Sequence, residues 1–129
     1  MFTKEYTLAT EAQNSHLFAR VSGIRTLEAV KGATVEVFES ALANGLSRVL
    51  VDVRAFEGRL GVLDIYLLVT ELFQDLRGKG IKKAAIVDRP QSGMREWFLE
   101  TVAVNRGFNF RIFPEVEEAR QWLLASTDV

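Results

Sequence analysis

Three short apolar runs, separated by longer segments with helical spacing, constrain the fold of this chain more than any other feature. The runs are RVLVDV at 48–53, IKKAAIVD at 81–88 and FNFRIF at 108–113. Short, nearly continuous runs of β-branched and aromatic residues are typical of strands that are covered on both faces. Such strands predict a parallel sheet when they alternate with helices, because each parallel pair needs a crossover connection.

The remaining segments complete the predicted fold. Alternating residues at 5–10 and 17–21, with a turn at Asn14 and Ser15, predict an opening antiparallel hairpin. Amphipathic spacing predicts helices at 27–42, Gly61 to Leu76, Pro90 to Val102 and Pro114 to Leu123. The predicted order is β-β-α-β-α-β-α-β-α, an α/β fold with a mostly parallel, mixed five-stranded sheet and helices on both faces. With 129 residues, a single domain at 1–129 is expected.

Charge and composition argue against several classes of function. Sixteen basic and seventeen acidic side chains give a net charge of -1, so no broad positive field favours nucleic acid. The sequence contains neither a basic leader with an apolar stretch nor a run of about 18 apolar residues, which predicts a cytoplasmic protein without stable membrane insertion. It contains no cysteine, which removes disulfides and thiolate chemistry.

Local patterns that suggest cofactor or metal sites are incomplete. Gly78 and Gly80 begin like a dinucleotide-binding fingerprint, but Lys83 stands where the third glycine belongs, and the segment follows a predicted helix. The basic stretch RGKGIKK at 77–83 is expected to be a solvated loop. His16 is the single histidine, so a strand-packing or surface role is expected. We predict no catalytic residue, no cofactor and no metal.

Charged residues follow two of the predicted strands at the edge where open α/β sheets bind ligands. If the two Asp–Arg sets meet there, they can hold a small polar molecule. The alternative is that the aspartates accept backbone hydrogen bonds while the arginines are solvated. The candidate binding residues are Asp52, Arg54, Glu57, Arg59, Asp88 and Arg89.

The second predicted helix is apolar nearly all round. At about 100° per residue, Asp64, Glu71 and Asp75 form one acidic stripe, and Leu67 and Leu68 lie on either side of it. A helix of this kind is buried on more than one side. A homodimer partner, a small apolar ligand, or the first helix of the same chain can supply the cover. The candidate interface residues are Asp64, Tyr66, Leu67, Leu68 and Glu71.

Three segments give the chain a resemblance to a known family. They are VLVDVRAFEG at 49–58, AAIVDRP at 84–90 and NRGFNFRIFPEVEEARQWL at 105–123. Together with the element order, they resemble STAS-like domains, the anti-sigma-factor-antagonist fold related to the CRAL-TRIO lipid-transfer domains. The resemblance covers most of the chain and is a pattern of strand edges and helix starts.

The resemblance implies a small cytoplasmic module that docks to protein partners. In signalling members of the family, a partner kinase phosphorylates a Ser or Thr near the start of the second helix, which switches docking. Between Asp52 and Thr70 the only hydroxyl here belongs to Tyr66, so that switch is not carried over. The function expected is a non-catalytic interaction module that binds itself or another protein. The alternatives are a carrier of a small apolar or amphiphilic ligand and, after it, an enzyme that uses the Asp–Arg strand ends.

Overall fold

A computed structural model describes residues 6–73, 80–89 and 109–125. The predicted helix from Pro90 to Val102 lies outside these ranges. The five strands are β1 (Tyr6–Ala12), β2 (Leu17–Ile24), β3 (Arg48–Glu57), β4 (Lys83–Val87) and β5 (Phe110–Phe113). The helices are α1 (Leu27–Ala43), α2 (Val62–Leu67) and α3 (Val116–Leu124), and a π-helical segment (Leu68–Phe73) continues α2.

The strands form one sheet in the order β1-β2-β3-β4-β5. β1 is antiparallel to β2, and every other neighbouring pair is parallel. The predicted mixed sheet with an opening hairpin is therefore confirmed. Because β2 to β5 run in the same direction, their carboxyl ends lie at one edge of the sheet, which is where β3 leads into α2.

Helices cover both faces of the sheet, as predicted. On one face, alternate residues of β2 and β3 such as Ala19 and Val49 pack with Ala33 and Val37 of α1. On the other face, Leu50 of β3 and Ala85 of β4 pack with Leu123 of α3. Burial on both sides explains why these strands read as continuous apolar runs in the sequence.

Local signals in the sequence fix the ends of α1. The hydroxyl of Thr26 accepts a hydrogen bond from the Ala29 amide at 3.0 Å, which caps the first turn. At the other end, Gly45 has a positive φ of 70°, and the Leu46 amide donates to the Ala41 carbonyl at 2.8 Å. This Schellman closure uses the glycine that the Ala-Asn-Gly sequence supplies.

Lys83 is not part of a solvated loop, as the basic stretch suggested. It begins β4 and is buried, with its ammonium group 4.4 Å from the centre of the Trp122 ring. The same group donates a hydrogen bond to the Trp122 carbonyl oxygen. Strand alternation directs Lys83 toward α3, so the aliphatic stem is covered while the charge meets an aromatic face and a carbonyl.

His16, at the turn between β1 and β2, is a buried strand-packing residue with a titratable ring. The Ser15 hydroxyl lies 3.2 Å from its Nδ1, and its Nε2 has no hydrogen-bond partner among the described residues. Burial, and next the positive charge of Arg120, lower the pKa of His16 below its ordinary value of 6.5. The ring is therefore neutral in the folded chain at neutral pH.

We expect the free energy of unfolding to fall as the pH drops below 6.5, the ordinary pKa of histidine. In that range the unfolded chain binds a proton that the folded chain does not, with a limiting slope of about 1.4 kcal/mol per pH unit. Urea unfolding from pH 8 to pH 5 measures this loss. The His16→Gln variant should lose this part of the pH dependence, and an unchanged slope in that variant would contradict the assignment.

No helix in the ranges that the structure describes is both long and apolar enough to cross a membrane.

Candidate functional site

The carboxyl edge of the sheet is built around a bulge in the central strand β3. Arg20 of β2 lies opposite Asp52 of β3, and Ser22 lies opposite Ala55. Between these two pairs β2 advances by two residues and β3 by three, so β3 contains one extra residue. An extra residue reverses the alternation of the side chains that follow it. Val49 and Val51 face α1 before the bulge, and Phe56 faces α1 after it.

Asp52 holds the bulge from the α3 side of the sheet. Its Oδ1 accepts a hydrogen bond from the Arg54 amide at 3.1 Å, within the bulge itself. The Arg54 guanidinium binds the same carboxylate through two atoms, at 3.0 Å from Nε to Oδ1 and 2.9 Å from Nη2 to Oδ2. Arg20, from the neighbouring strand, places its Nε 3.6 Å from Oδ2. These three residues form the Asp52 cluster.

The arginines keep Asp52 ionised despite its burial. Burial acts to raise the pKa of Asp52, but hydrogen bonds from the side chain and backbone of Arg54, with the charges of Arg54 and Arg20, outweigh it and lower this pKa below 3.8. The hydrogen bond to Asp52 in turn raises the pKa of Arg54. A carboxylate held in this way remains an acceptor at neutral pH and is poorly suited to donate a proton.

A second cluster is centred on Asp88, which follows β4. Its carboxylate accepts hydrogen bonds from Arg25 Nη1 at 3.0 Å, from Arg59 Nη1 at 3.0 and 3.1 Å, and from the Arg89 amide at 2.8 Å. The side chains of Arg25 and Arg59 are only 12% and 13% exposed, and that of Asp88 is 8% exposed. Two largely buried guanidinium groups thus share one buried carboxylate in the Asp88 cluster.

Arg25 also connects this cluster to the bulge. Its Nη2 donates to the Val53 carbonyl at 3.0 Å and to the Phe56 carbonyl at 2.8 Å, and its Nε donates to Phe56 at 3.2 Å. The guanidinium carbon lies 5.2 Å from the centre of the Phe56 ring. Arg25 therefore donates hydrogen bonds to the carbonyl of Val53, within the bulge, and to that of Phe56, just after it.

Arg59 and Arg89 join the two loops that follow β3 and β4. The Arg59 Nη2 donates to the Arg89 carbonyl at 3.1 Å, and the Arg89 Nη2 donates back to Glu57 Oε2 at 3.4 Å. Both of these contacts are exposed to solvent. The loop that leads from β3 into α2 is consequently fixed to the end of β4.

All six predicted binding residues lie at this edge, but the two Asp–Arg sets lie on opposite faces of the sheet. Asp52 continues the Leu50 side of β3, which faces α3, whereas the arginine beside Asp88 packs on Phe56, which faces α1. The two carboxylates are held by different arginines. Both aspartates accept a backbone N–H, as the alternative proposed. Of the arginines in the two predicted Asp–Arg sets, Arg89 is exposed, whereas Arg54 is partly exposed and bound to Asp52.

Arg20 and Arg25, which belong to β2 and the turn after it, were not among the residues predicted from the sequence. The pairing of Arg20 with Asp52 depends on the β2–β3 register, and that of Arg25 depends on the bulge. One local signal was available: Arg25 directly follows the second strand and immediately precedes the Thr26 cap. That position places it at the same edge as the ends of β3 and β4 in a parallel sheet.

The predicted interface on the second helix is wrong at Leu68. This residue is 4% exposed and packs with Val69 and Phe110 inside the chain, so it needs no partner to cover it. Leu67 and Asp64 are half-buried, while Tyr66 and Glu71 are exposed. Hydrogen bonds in a π-helix join residues five apart, so counting at 100° per residue loses phase after Leu68 and misplaces Glu71 relative to Asp64.

Exposed apolar surface instead collects at the start of α2 and at the end of β2. Ile24 is 58% exposed, Val62 53%, Leu63 68% and Tyr66 44%. Val62 and Leu63 are one turn before Tyr66, so the three share a face of the helix. We call Ile24, Val62, Leu63 and Tyr66 the edge patch.

The sequence matches the protein-family model described as SpoIIAA-like over residues 17–124. The chain belongs to the SpoIIAA-like family. Membership confirms the STAS-like resemblance inferred from the strand ends and helix starts. No protein of curated function matches this SpoIIAA-like chain in sequence.

Two solved structures are similar to this SpoIIAA-like chain along nearly its whole length. One is the crystal structure of an uncharacterized protein of the DUF3478 family, with a SpoIIAA-like fold, from Shewanella loihica PV-4. It is 25% identical, with a TM-score of 0.56, over 95% of this chain and 98% of that one. The other is an anti-sigma factor antagonist from Mycobacterium paratuberculosis, 17% identical, with a TM-score of 0.57, over 95% of this chain and 97% of that one. The second likeness supports the fold alone.

Proposed function

We propose that this chain is a non-catalytic, cytoplasmic interaction module that docks a protein partner through the edge patch. One observation carries the proposal: four of the five large apolar side chains exposed in the described ranges lie at this one edge, and the fifth is Leu42. Exposed apolar residues that are scattered singly need no explanation, whereas residues gathered in one place mark an interaction surface.

The two arginine clusters support this function because they make the edge rigid. The loop from Glu57 to Gly61 carries Arg59, whose side chain is bound to Asp88 and to the Arg89 carbonyl. The edge patch begins directly after that loop, at Val62. A docking surface that is already ordered loses less conformational entropy when the partner binds, which increases affinity.

The chemistry of the carboxylates also favours docking over catalysis. General acid–base catalysis is most effective when the pKa of the group lies near the working pH. The pKa of Asp52 is lowered by its arginine contacts, and both oxygens of Asp88 already accept hydrogen bonds from two arginines. These side chains are therefore better suited to fix the shape of the edge than to transfer protons.

The variant Leu63→Glu tests the proposal, because it places a charge in the most exposed position of the edge patch and leaves buried contacts untouched. We expect Leu63→Glu to reduce recovery of the protein partner from cells of the source organism by at least tenfold, measured by affinity purification and quantitative mass spectrometry. A charge in the centre of an apolar interface must be desolvated without a counter-ion, which costs several kcal/mol.

Leu42→Glu is the matched control, since Leu42 is exposed near the other end of α1 and lies outside the edge patch. It should retain the partner that the wild-type chain recovers. Equal recovery with Leu63→Glu and with Leu42→Glu would contradict docking at the edge patch. Native mass spectrometry of the same purified protein distinguishes the carrier alternative, which requires a copurified apolar molecule.

A further inference from the structure

Two exposed charges of opposite sign stand beside the edge patch. The Glu57 side chain is 64% exposed and that of Arg89 is 52% exposed, with 3.4 Å between Arg89 Nη2 and Glu57 Oε2. Glu57 lies directly opposite Ile24 in the β2–β3 register, so it borders the patch. An exposed pair at this separation contributes only about 0 to 1 kcal/mol, so its members can exchange partners at little cost.

Hydrogen bonds hold the backbone of both Glu57 and Arg89 in place. The Glu57 carbonyl accepts the Arg25 amide at 2.6 Å. The Arg89 amide donates to Asp88 at 2.8 Å, and its carbonyl accepts from Arg59 at 3.1 Å. Their backbone positions relative to the patch are therefore set by the Asp88 cluster, although their side chains reach into solvent.

This arrangement is self-complementary. In a two-fold interface the same surface meets itself, so that residue i contacts j of the partner while j contacts i. An anion and a cation side by side satisfy that rule, because Glu57 of one copy can face Arg89 of the other at two equivalent places. Apolar residues on one helix face, such as Val62 and Leu63, meet their own copies between these contacts.

We infer that the occupant of the edge patch is a second copy of this chain, related by a two-fold axis, with Glu57 and Arg89 exchanging partners across the interface. The inference rests on the proposed docking function and names the partner. A strongly acidic or basic partner is disfavoured, because the charges beside the patch cancel and the whole chain has a net charge of only -1.

Charge exchange between copies provides the test. Analytical ultracentrifugation of the wild-type chain should show a dimer. Each single variant, Glu57→Arg or Arg89→Glu, should dissociate at least tenfold more readily, because like charges then meet at both contacts. An equimolar mixture of the two variants should dimerise again. In the mixed dimer, the arginine introduced by Glu57→Arg faces the glutamate introduced by Arg89→Glu, and the native Glu57 faces the native Arg89.

The control for charge reversal away from the patch is Glu117→Arg, which disrupts the exposed Glu117–Arg120 pair on α3 and should leave the dimer intact. The double variant Glu57→Arg with Arg89→Glu retains both pairings and should also dimerise, which shows that the reversed residues are compatible with folding. Recovery in the mixture, with Glu117→Arg unaffected, supports the two-fold geometry.

Two results would overturn this inference. One is a wild-type chain that remains monomeric at the highest concentration measured, which leaves docking to a different protein as the role of the patch. The other is a dimer that resists both single variants or is not restored in the mixture, which places the interface elsewhere. The docking function itself fails separately, when Leu63→Glu changes neither the dimer nor the recovery of any protein partner.

Discussion

Replacing Arg25 with Met should lower the free energy of unfolding by about 2 to 4 kcal/mol, as for the loss of charge-assisted hydrogen bonds at a largely buried site where Asp88 keeps its contacts with Arg59. Arg25 donates to the carboxylate of Asp88 and to the carbonyls of Val53, in the β3 bulge, and Phe56, after it. A methionine fills a similar volume but donates no hydrogen bond. The Val53 and Phe56 carbonyls would then be left without their side-chain donor in a largely buried place.

Arg25→Lys distinguishes charge from geometry. Lysine keeps the positive charge that faces Asp88 but has one compact ammonium group instead of a planar fork. That group cannot reach Asp88, Val53 and Phe56 together. We expect Arg25→Lys to lose most of the stability that Arg25→Met loses, as measured by urea unfolding at pH 7.

Arg89→Met is the control for a general loss of positive charge at this edge. Arg89 is exposed and its pairing with Glu57 is long, so the expected change in stability is within about 1 kcal/mol. A loss below about 1 kcal/mol for Arg25→Met, comparable to that of an ordinary surface pair, would show that the bulge does not depend on Arg25.

The layout of the sheet could be predicted from the sequence because its signals are local. Each buried strand, such as 48–53, is short and apolar, and each helix carries its own period and its own start and stop residues. The crossover rule then converts this order into a parallel sheet. For the same reason Asp52 and Asp88 could be placed at one edge before any contact was known.

The partners of these aspartates could not be predicted, because they depend on register. A single extra residue in β3 decides that Phe56 faces α1 and that two carbonyls turn toward Arg25. The sequence around Val53 does not distinguish a bulged strand from a regular one. The helix period is also hard to predict after Leu68, since the π-helical segment shifts it without a proline or glycine to signal the change.

Asp52 offers the second large effect, because it binds the bulge on the opposite face of the sheet from Arg25. We expect Asp52→Ala to lower the free energy of unfolding by about 2 to 3 kcal/mol at pH 7, as for loss of charge-assisted hydrogen bonds at a buried site. The Arg54 amide loses its acceptor, and the Arg54 guanidinium loses both of its contacts. Arg20 and Arg54 are partly exposed and regain water, which limits the cost.

Asp52→Asn separates the bulge hydrogen bond from the charge. The amide oxygen of asparagine can still accept from the Arg54 amide, although it cannot pair with a guanidinium as a carboxylate does. About half of the loss seen for Asp52→Ala is therefore expected, within the range for one neutral hydrogen bond. Equal losses in the two variants would assign the whole effect to charge and none to the bulge.

The effect of Asp52→Ala should also depend on pH, in a direction set by the lowered pKa of Asp52. The carboxylate is ionised in both the folded and the unfolded chain above its ordinary pKa of 3.8, so its full contribution is present there. As the pH falls below 3.8, the unfolded chain binds a proton before the folded chain does, and the contribution declines. Urea unfolding curves of the wild type and Asp52→Ala should converge between pH 5 and pH 2. If the difference in the free energy of unfolding stayed the same at every pH, Asp52 would act through packing alone, because packing contacts do not depend on its ionisation.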